Sequence, residues 1–134
     1  MDFDFLPAFG IPLVVGRNFS REFAADDSTA FIINETAMRH LGLTVESAIG
    51  KKVNQSEKQG YIVGVCRDFY YRSLHYKIEP LILAINHRTY NTIALKINSD
   101  DIPNVIADIQ DVWKNVAPEY TLGYTFLDDD YRRL

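Results

Sequence analysis

The stretch TIALKINSDDIPNVIADIQDVWKNVAPEYTLGYTFL, Thr92 to Leu127, carries the clearest periodic signal in the chain and sets the expected fold class. Ile102, Val105, Ile106, Ile109, Val112, Trp113 and Val116 fall at steps of 3, 1, 3, 3, 1 and 3, the apolar stripe of an amphipathic helix over 102–116. Pro103 suits the first helical position, where its missing N–H costs nothing. Asp100 and Asp101 complement the positive end of the helix dipole, and Pro118 stops the helix. Runs of strand-forming residues flank it. The order therefore predicts a C-terminal βαβ-like unit of strand 92–97, helix 102–116 and strand 124–127.

Working back from that unit, strands dominate, so the expected class is α+β with a mixed sheet or sheets. Phe3, Phe5, Leu6 and Phe9 are spaced for a turn or two of helix, and Ile11–Val15 reads as a short strand closed by Gly16-Arg17. Residues 20–28 are polar and acidic and read as a loop. Ala30-Phe31-Ile32-Ile33 is a compact apolar run, the signature of a buried strand. Asn34 then caps a short helix near 35–41, with Ala37, Met38 and Leu41 on one face and Gly42 supplying a left-handed stop. Thr44 caps a second turn that Gly50 ends. Two hairpins are expected. The first joins 51–54 to 61–66 through a polar loop ending at Gly60, and the second joins 81–85 to 92–97 around residues 86–91.

At 134 residues the chain is expected to form a single domain over 1–134. A hydrophobic share of 47% with 13% aromatics is too apolar for a disordered tail. Fourteen basic against eighteen acidic residues give a net charge of −4, which removes the broad positive footprint of a nucleic-acid binder. A lone cysteine excludes an intrachain disulfide framework and a Cys-rich zinc site. No run approaches the ~20 apolar residues of a membrane span. The start, Met1-Asp2-Phe3-Asp4, lacks the positive charge that opens a signal peptide.

The residues that carry chemistry do not assemble into a catalytic pattern. Gly50-Lys51-Lys52 has the tail of a phosphate loop, but Val45 replaces its first glycine and Lys52 the magnesium-binding hydroxyl. His40, His75 and His87 are scattered without metal-ligand spacing. Asp26-Asp27, Asp100-Asp101 and Asp128-Asp129-Asp130 lack the calcium-loop pattern and suit helix starts or solvent. Cys66 lies in the apolar run 61–66 and reads as a small buried hydrophobe. No serine sits in a G-x-S-x-G elbow. A hydrolase built on Asp128 or on Asp68 with His75 has no supporting spacing. Phe69-Tyr70-Tyr71 is the one dense aromatic cluster, either a lid over the core or a ligand platform. No catalytic, cofactor-binding or metal-binding residue is expected, and the chain is read as a non-enzyme.

The order of several short motifs says more than any one of them. Phe9-Gly10-Ile11-Pro12-Leu13-Val14-Val15-Gly16-Arg17-Asn18-Phe19 is followed by Ile32-Ile33-Asn34-Glu35-Thr36-Ala37 and Ala48-Ile49-Gly50-Lys51. Then come Ile62-Val63-Gly64-Val65-Cys66-Arg67-Asp68-Phe69 and Tyr124-Thr125-Phe126-Leu127-Asp128. In this order and spacing the series resembles the extracytoplasmic, MacB-like periplasmic core domain of MacB/FtsX-type ABC transporter permeases, in the style of the Bacteroidetes. Cys66 stands where valine is usual in that pattern, a swap of similar volume.

The resemblance implies an inner-membrane protein whose periplasmic domain this is, excised from between transmembrane helices, with the opening portion of such domains missing before Met1. It implies no catalysis in this part and no cofactor. ATP hydrolysis would belong to a separate nucleotide-binding subunit or domain that this fragment does not contact. The domain would engage an exported substrate or a periplasmic partner protein, coupled to ATP-driven movement of the membrane helices of a dimeric, efflux-type parent. Asp128 to Arg133 would begin a stalk toward the membrane, passing motion into the sheet through 124–127. The alternative is a stand-alone periplasmic ligand- or peptide-binding module using the Phe69-Tyr70-Tyr71 loop.

Overall fold

The computed structural model describes residues 1–55, 58–71, 77–87 and 90–127. These fall into two compact units, one holding residues 1–71 and 77–94 and the other residues 95–127. The first is built around a mixed five-stranded sheet: β1 (Leu13–Gly16), β2 (Ala30–Asn34), β3 (Lys52–Gln55), β4 (Lys58–Cys66) and β5 (Ile82–Leu83). Its order is β1-β4-β2-β5, and β3 also pairs with β4. β2 and β4 run parallel, and the other pairs are antiparallel. Four short helices accompany the sheet: α1 (Phe5–Ala8), α2 (Asp26–Thr29), α3 (Glu35–His40) and α4 (Val45–Ala48).

β2 is central because every one of its residues is buried. Its unbroken apolar run is what a strand covered on both faces requires, and its parallel pairing with β4 follows the same rule. One layer of core gathers Leu6, Phe19, Ala30, Ile32, Cys66, Leu83 and Ile85, roofed by Phe5, Phe69 and Leu81. The other joins Ile33, Ile62 and Val65 to Ala37, Met38 and Ala48 of α3 and α4. Truncating a large side chain such as Ile33 or Ile62 in either layer costs roughly 2–5 kcal/mol.

The parallel β2–β4 pair relocates the crossover. It lies between residues 34 and 58, through α3, α4 and β3, and not at the C-terminus. Residues 92–97 and 124–127 make no sheet pairing among the described residues, so the second hairpin and the two strands of the expected C-terminal unit do not form. A strand needs a neighbour for its backbone groups and a face to bury. Ile93 and Leu95, 74% and 62% exposed, have neither. Leu81 to Leu83 instead find their partner in β2: Ile82 pairs with Ile33, Leu83 with Ile32, and the Asn34 N–H donates to the Leu81 carbonyl.

The first hairpin forms, and its ladder runs on to the Gln55–Lys58 pair, so β4 begins three residues before the expected Tyr61. The expected loop at 20–28 contains the turn α2, which carries Asp26 inward.

The second unit holds α5 (Ile102–Val116), with the bounds that the periodicity predicts. Asp101 is its N-cap, accepting from the Asn104 N–H, and Pro103 lies in the first turn. Trp113 Nε1 donates to the Tyr120 carbonyl at 2.8 Å, folding the chain back after the helix. No residue of α5 is fully buried. Among the described residues no helix is long and apolar enough to cross a membrane. The expected stalk, Asp128 to Arg133, lies outside the described residues.

Candidate functional site

Three of the motifs are explained by packing before any function is needed. Gly16 adopts φ +81°, and a Cβ there would collide with the Val63 carbonyl and the tip of Ile49, so only glycine fits between β1 and β4. Arg17 follows, and both of its terminal nitrogens donate to the carboxylate of Asp26, Nη2 to Oδ1 at 2.8 Å. The Ser20 N–H adds a third bond to that carboxylate at 2.9 Å, and Asp26 is fully buried. The Arg17 guanidinium also lies over the Phe23 ring, 4.2 Å from its centre. The Arg17 hydrogen bond is the main cause holding the Asp26 carboxyl below its usual range, against the opposing effect of burial.

Asn34 does more than cap α3. Its Oδ1 accepts from Ala37 N–H at 2.8 Å and from Leu81 N–H at 2.9 Å, while Nδ2 donates to the Glu79 carbonyl at 3.0 Å. One buried amide thus fixes both the helix start and the segment leading into β5. Beside it, Asp68 accepts from Thr36 N–H, Thr36 Oγ1 and Arg39 Nη2 at 2.8, 2.8 and 2.7 Å, and Glu35 Oε2 accepts from Asp68 N–H at 3.1 Å. Burial works to raise the Asp68 pKa, but the Thr36 hydrogen bonds and Arg39 together hold it low. The Asn-Glu-Thr and Arg-Asp-Phe motifs are two halves of one clasp between α3 and the end of β4.

The other chemical candidates stay apart. Cys66 is buried and its thiol is pushed up to about 11, chiefly by burial, which is the opposite of an activated thiolate. His40 is exposed on α3, and His87 pairs through Nε2 with Asp27 while its ring meets Tyr90 edge-on. His75 and Asp128, Asp129 and Asp130 lie outside the described residues. Among the described residues no three of His, Cys, Asp and Glu gather as a metal site.

Two surfaces of the first unit remain. In one, a run of rings, Phe9–Phe5–Phe69–Tyr71, has centroid separations of 4.7, 6.2 and 6.2 Å. Phe5 and Phe69 roof the core, whereas Phe9, Tyr70 and Tyr71 are exposed, and Tyr71 donates to Glu79. The lid reading of Phe69-Tyr70-Tyr71 thus holds for Phe69, and Tyr70 and Tyr71 face outward.

The other surface is an open cleft of about 420 Å³ lined by Gly16, Arg17, Ile49, Gly50, Tyr61 and Val63. It lies beside Ile62 and Val63, between the length of β4 paired with β3 and the length paired with β1. Its residues come from three separate segments, and apart from Tyr61 all of them belong to the motifs 9–19, 48–51 and 62–69.

No family model and no curated protein matches the chain. Among solved structures, the periplasmic region of MacB from Actinobacillus actinomycetemcomitans aligns at a TM-score of 0.52 and 14% identity, over 85% of this chain and 53% of that one. The chain thus spans about half the length of that region. A permease-protein domain from Porphyromonas gingivalis aligns at a TM-score of 0.49 and 19% identity, over 98% of this chain and 69% of that one. At 14% identity the likeness to the MacB region is one of fold, and the chain shares the α+β fold of that region, as the motif order suggests.

Proposed function

We propose that this chain is a non-catalytic segment of the extracytoplasmic domain of an ABC transporter permease, lying in the periplasm between membrane helices. The observation that supports it most is the shared fold with the periplasmic region of MacB over 85% of the chain. The packing adds a physical reason. The motifs that lie in the first unit serve to join β1, β2, β4 and α3 into one stiff body, as a domain that transmits force requires. On this reading the chain holds a single domain segment, an ATP-binding subunit or domain drives the membrane helices, and this domain meets an exported substrate or a periplasmic partner.

The reading is tested in two steps. Sequencing the gene beyond both ends should show apolar runs of about 20 residues on either side. A stop codon after Leu134 with a signal peptide upstream would overturn it. In whole cells, Gln59→Cys in the full protein should react with a membrane-impermeant maleimide, because Gln59 is exposed, whereas buried Cys66 should give little background. Labelling only after lysis would place the domain on the wrong side of the membrane. The second reading, a free periplasmic ligand- or peptide-binding module, draws on exposed Tyr70 and Tyr71 and is what the stop codon would favour.

A further inference from the structure

Asp26 turns inward from α2, whereas its neighbour Asp27 stays exposed and meets the segment that follows β5. Two side chains tie that segment to α2. Lys58 Nζ donates to the Asp27 carbonyl at 2.9 Å and to the Ile85 carbonyl at 3.2 Å. Two residues beyond Ile85, His87 Nε2 bonds the Asp27 carboxylate at 2.5 Å, across 60 residues of sequence. The imidazole is packed as well as bonded. Its centre lies 5.4 Å from the Tyr90 ring, edge-on, and 6.5 Å from the Phe3 ring. Tyr90 in turn donates through its hydroxyl to the Met1 carbonyl at 3.1 Å. His87, Asp27 and Tyr90 are each about half exposed, so the core does not require this arrangement. Among the described residues it is the only ion pair whose cation is a histidine.

We propose that His87 and Asp27 form a proton-operated latch, which holds the segment after β5 against α2 when the imidazole is protonated and relaxes when it is neutral. Imidazole is the side chain whose ordinary titration falls between about pH 5 and 8, a range in which carboxylates, ammonium and guanidinium groups keep their charge. Burial first, then Asp2 and Asp27, push the Tyr90 hydroxyl up, so Tyr90 stays neutral there. The other charges around the ring are already spoken for. The Arg21 guanidinium lies over Phe3 and is paired with Asp4, and Lys58 is bonded to two carbonyls. That leaves the Asp27 carboxylate as the group the imidazole answers to. Neutral, His87 offers it one ordinary hydrogen bond; protonated, it adds a full charge, and charge-assisted bonds are about twice as strong. The tie through Lys58 persists at both pH values, so release is confined to residues beyond Ile85. The segment leads to residue 94, where the first unit ends, so acid stiffens the exit from that unit. The latch stands on these contacts alone, whether or not the chain serves a transporter.

The test is a double-mutant cycle on the whole chain. Urea unfolding of the parent, Asp27→Asn, His87→Gln and the double variant is measured at about pH 5.5 and about pH 8. Both positions are about half exposed, so the variants should fold. Coupling between the two positions should be about three- to fivefold in the folding constant in acid, as for a good exposed ion pair, and below about twofold at the higher pH. Order parameters from ¹³Cα relaxation report the hold itself. At His87 and Tyr90 they should fall from the lower pH to the higher in the parent, and stay low at both in Asp27→Asn. The proposal is overturned by coupling that is absent, equal at the two pH values or larger at the higher one. It is also overturned by order parameters in the parent that do not change with pH, since the pair would then be a surface contact that holds nothing.

Discussion

The Arg17–Asp26 pair makes an asymmetric prediction. The Asp26 side chain is 2% exposed and that of Arg17 is 39% exposed, so the two halves of the pair are not equivalent. Removing one partner of a buried pair costs roughly 3–5 kcal/mol, because the other charge is left in a poor solvent. Asp26→Ala strands the guanidinium where water can reach it, and also orphans the Ser20 N–H, so the cost should fall to about 2–3 kcal/mol. Arg17→Ala strands the buried carboxylate and should cost more, about 3–4 kcal/mol. Urea unfolding of the two variants beside the parent chain measures both, at unchanged slope.

Acid titration supplies the sign. The Asp26 carboxyl is held low in the folded state, foremost by the Arg17 hydrogen bond, so the unfolded chain protonates first. Its contribution is full above the unfolded value near 4 and fades as pH falls through the folded value. The gap between parent and Asp26→Asn should therefore narrow below about pH 4. Arg17→Ala costing less than Asp26→Ala, or a gap that widens in acid, would refute the reasoning.

The other predictions use the same assays. Asn34→Ala removes three hydrogen bonds of one buried amide and should cost about 3 kcal/mol, with faster hydrogen exchange at both Ala37 and Leu81; exchange changing at Ala37 alone would reduce Asn34 to a cap. Asp68→Asn should lose stability at neutral pH and converge on the parent in acid, since the folded-state pKa is lowered and the clasp is lost as pH falls through it. Gly60→Ala should be costlier than Gly123→Ala by roughly 3 kcal/mol, because a Cβ at Gly60 meets the Thr29 carbonyl and one at Gly123 meets nothing; equal unfolding midpoints would contradict this packing. Cys66 should resist a thiol reagent at pH 8 and react promptly in urea; fast labelling of the folded chain would show that the strand opens.

What could be read from the sequence was local. The stripe of α5, the Asn34 cap, the left-handed Gly42 and Gly50 and the buried run of β2 each depend on residues within a turn or a strand of one another, and the structure keeps all of them. Beyond the β3–β4 hairpin, pairing was not legible, because the same strand-forming composition serves any neighbour. Thr92–Ile97 has better strand residues than Ile82–Leu83, yet only the latter lies against β2. The second role of Asn34 and the inward turn of Asp26 were hidden for the same reason: each bond joins segments that nothing in the local pattern connects.

That division bears on where function resides. Gly16, Arg17, Asn34, Glu35, Thr36 and Asp68 belong to the motifs, and each of these six is consumed by contacts inside the first unit. A motif whose hydrogen bonds are satisfied internally specifies a shape, and its presence reports the fold more than the partner. On the proposed reading recognition falls to residues outside the motifs, and Tyr61 and Lys52, both exposed, meet that description. Lys52→Glu should therefore leave the urea midpoint unchanged, and a loss of stability would show that the fold demands that residue.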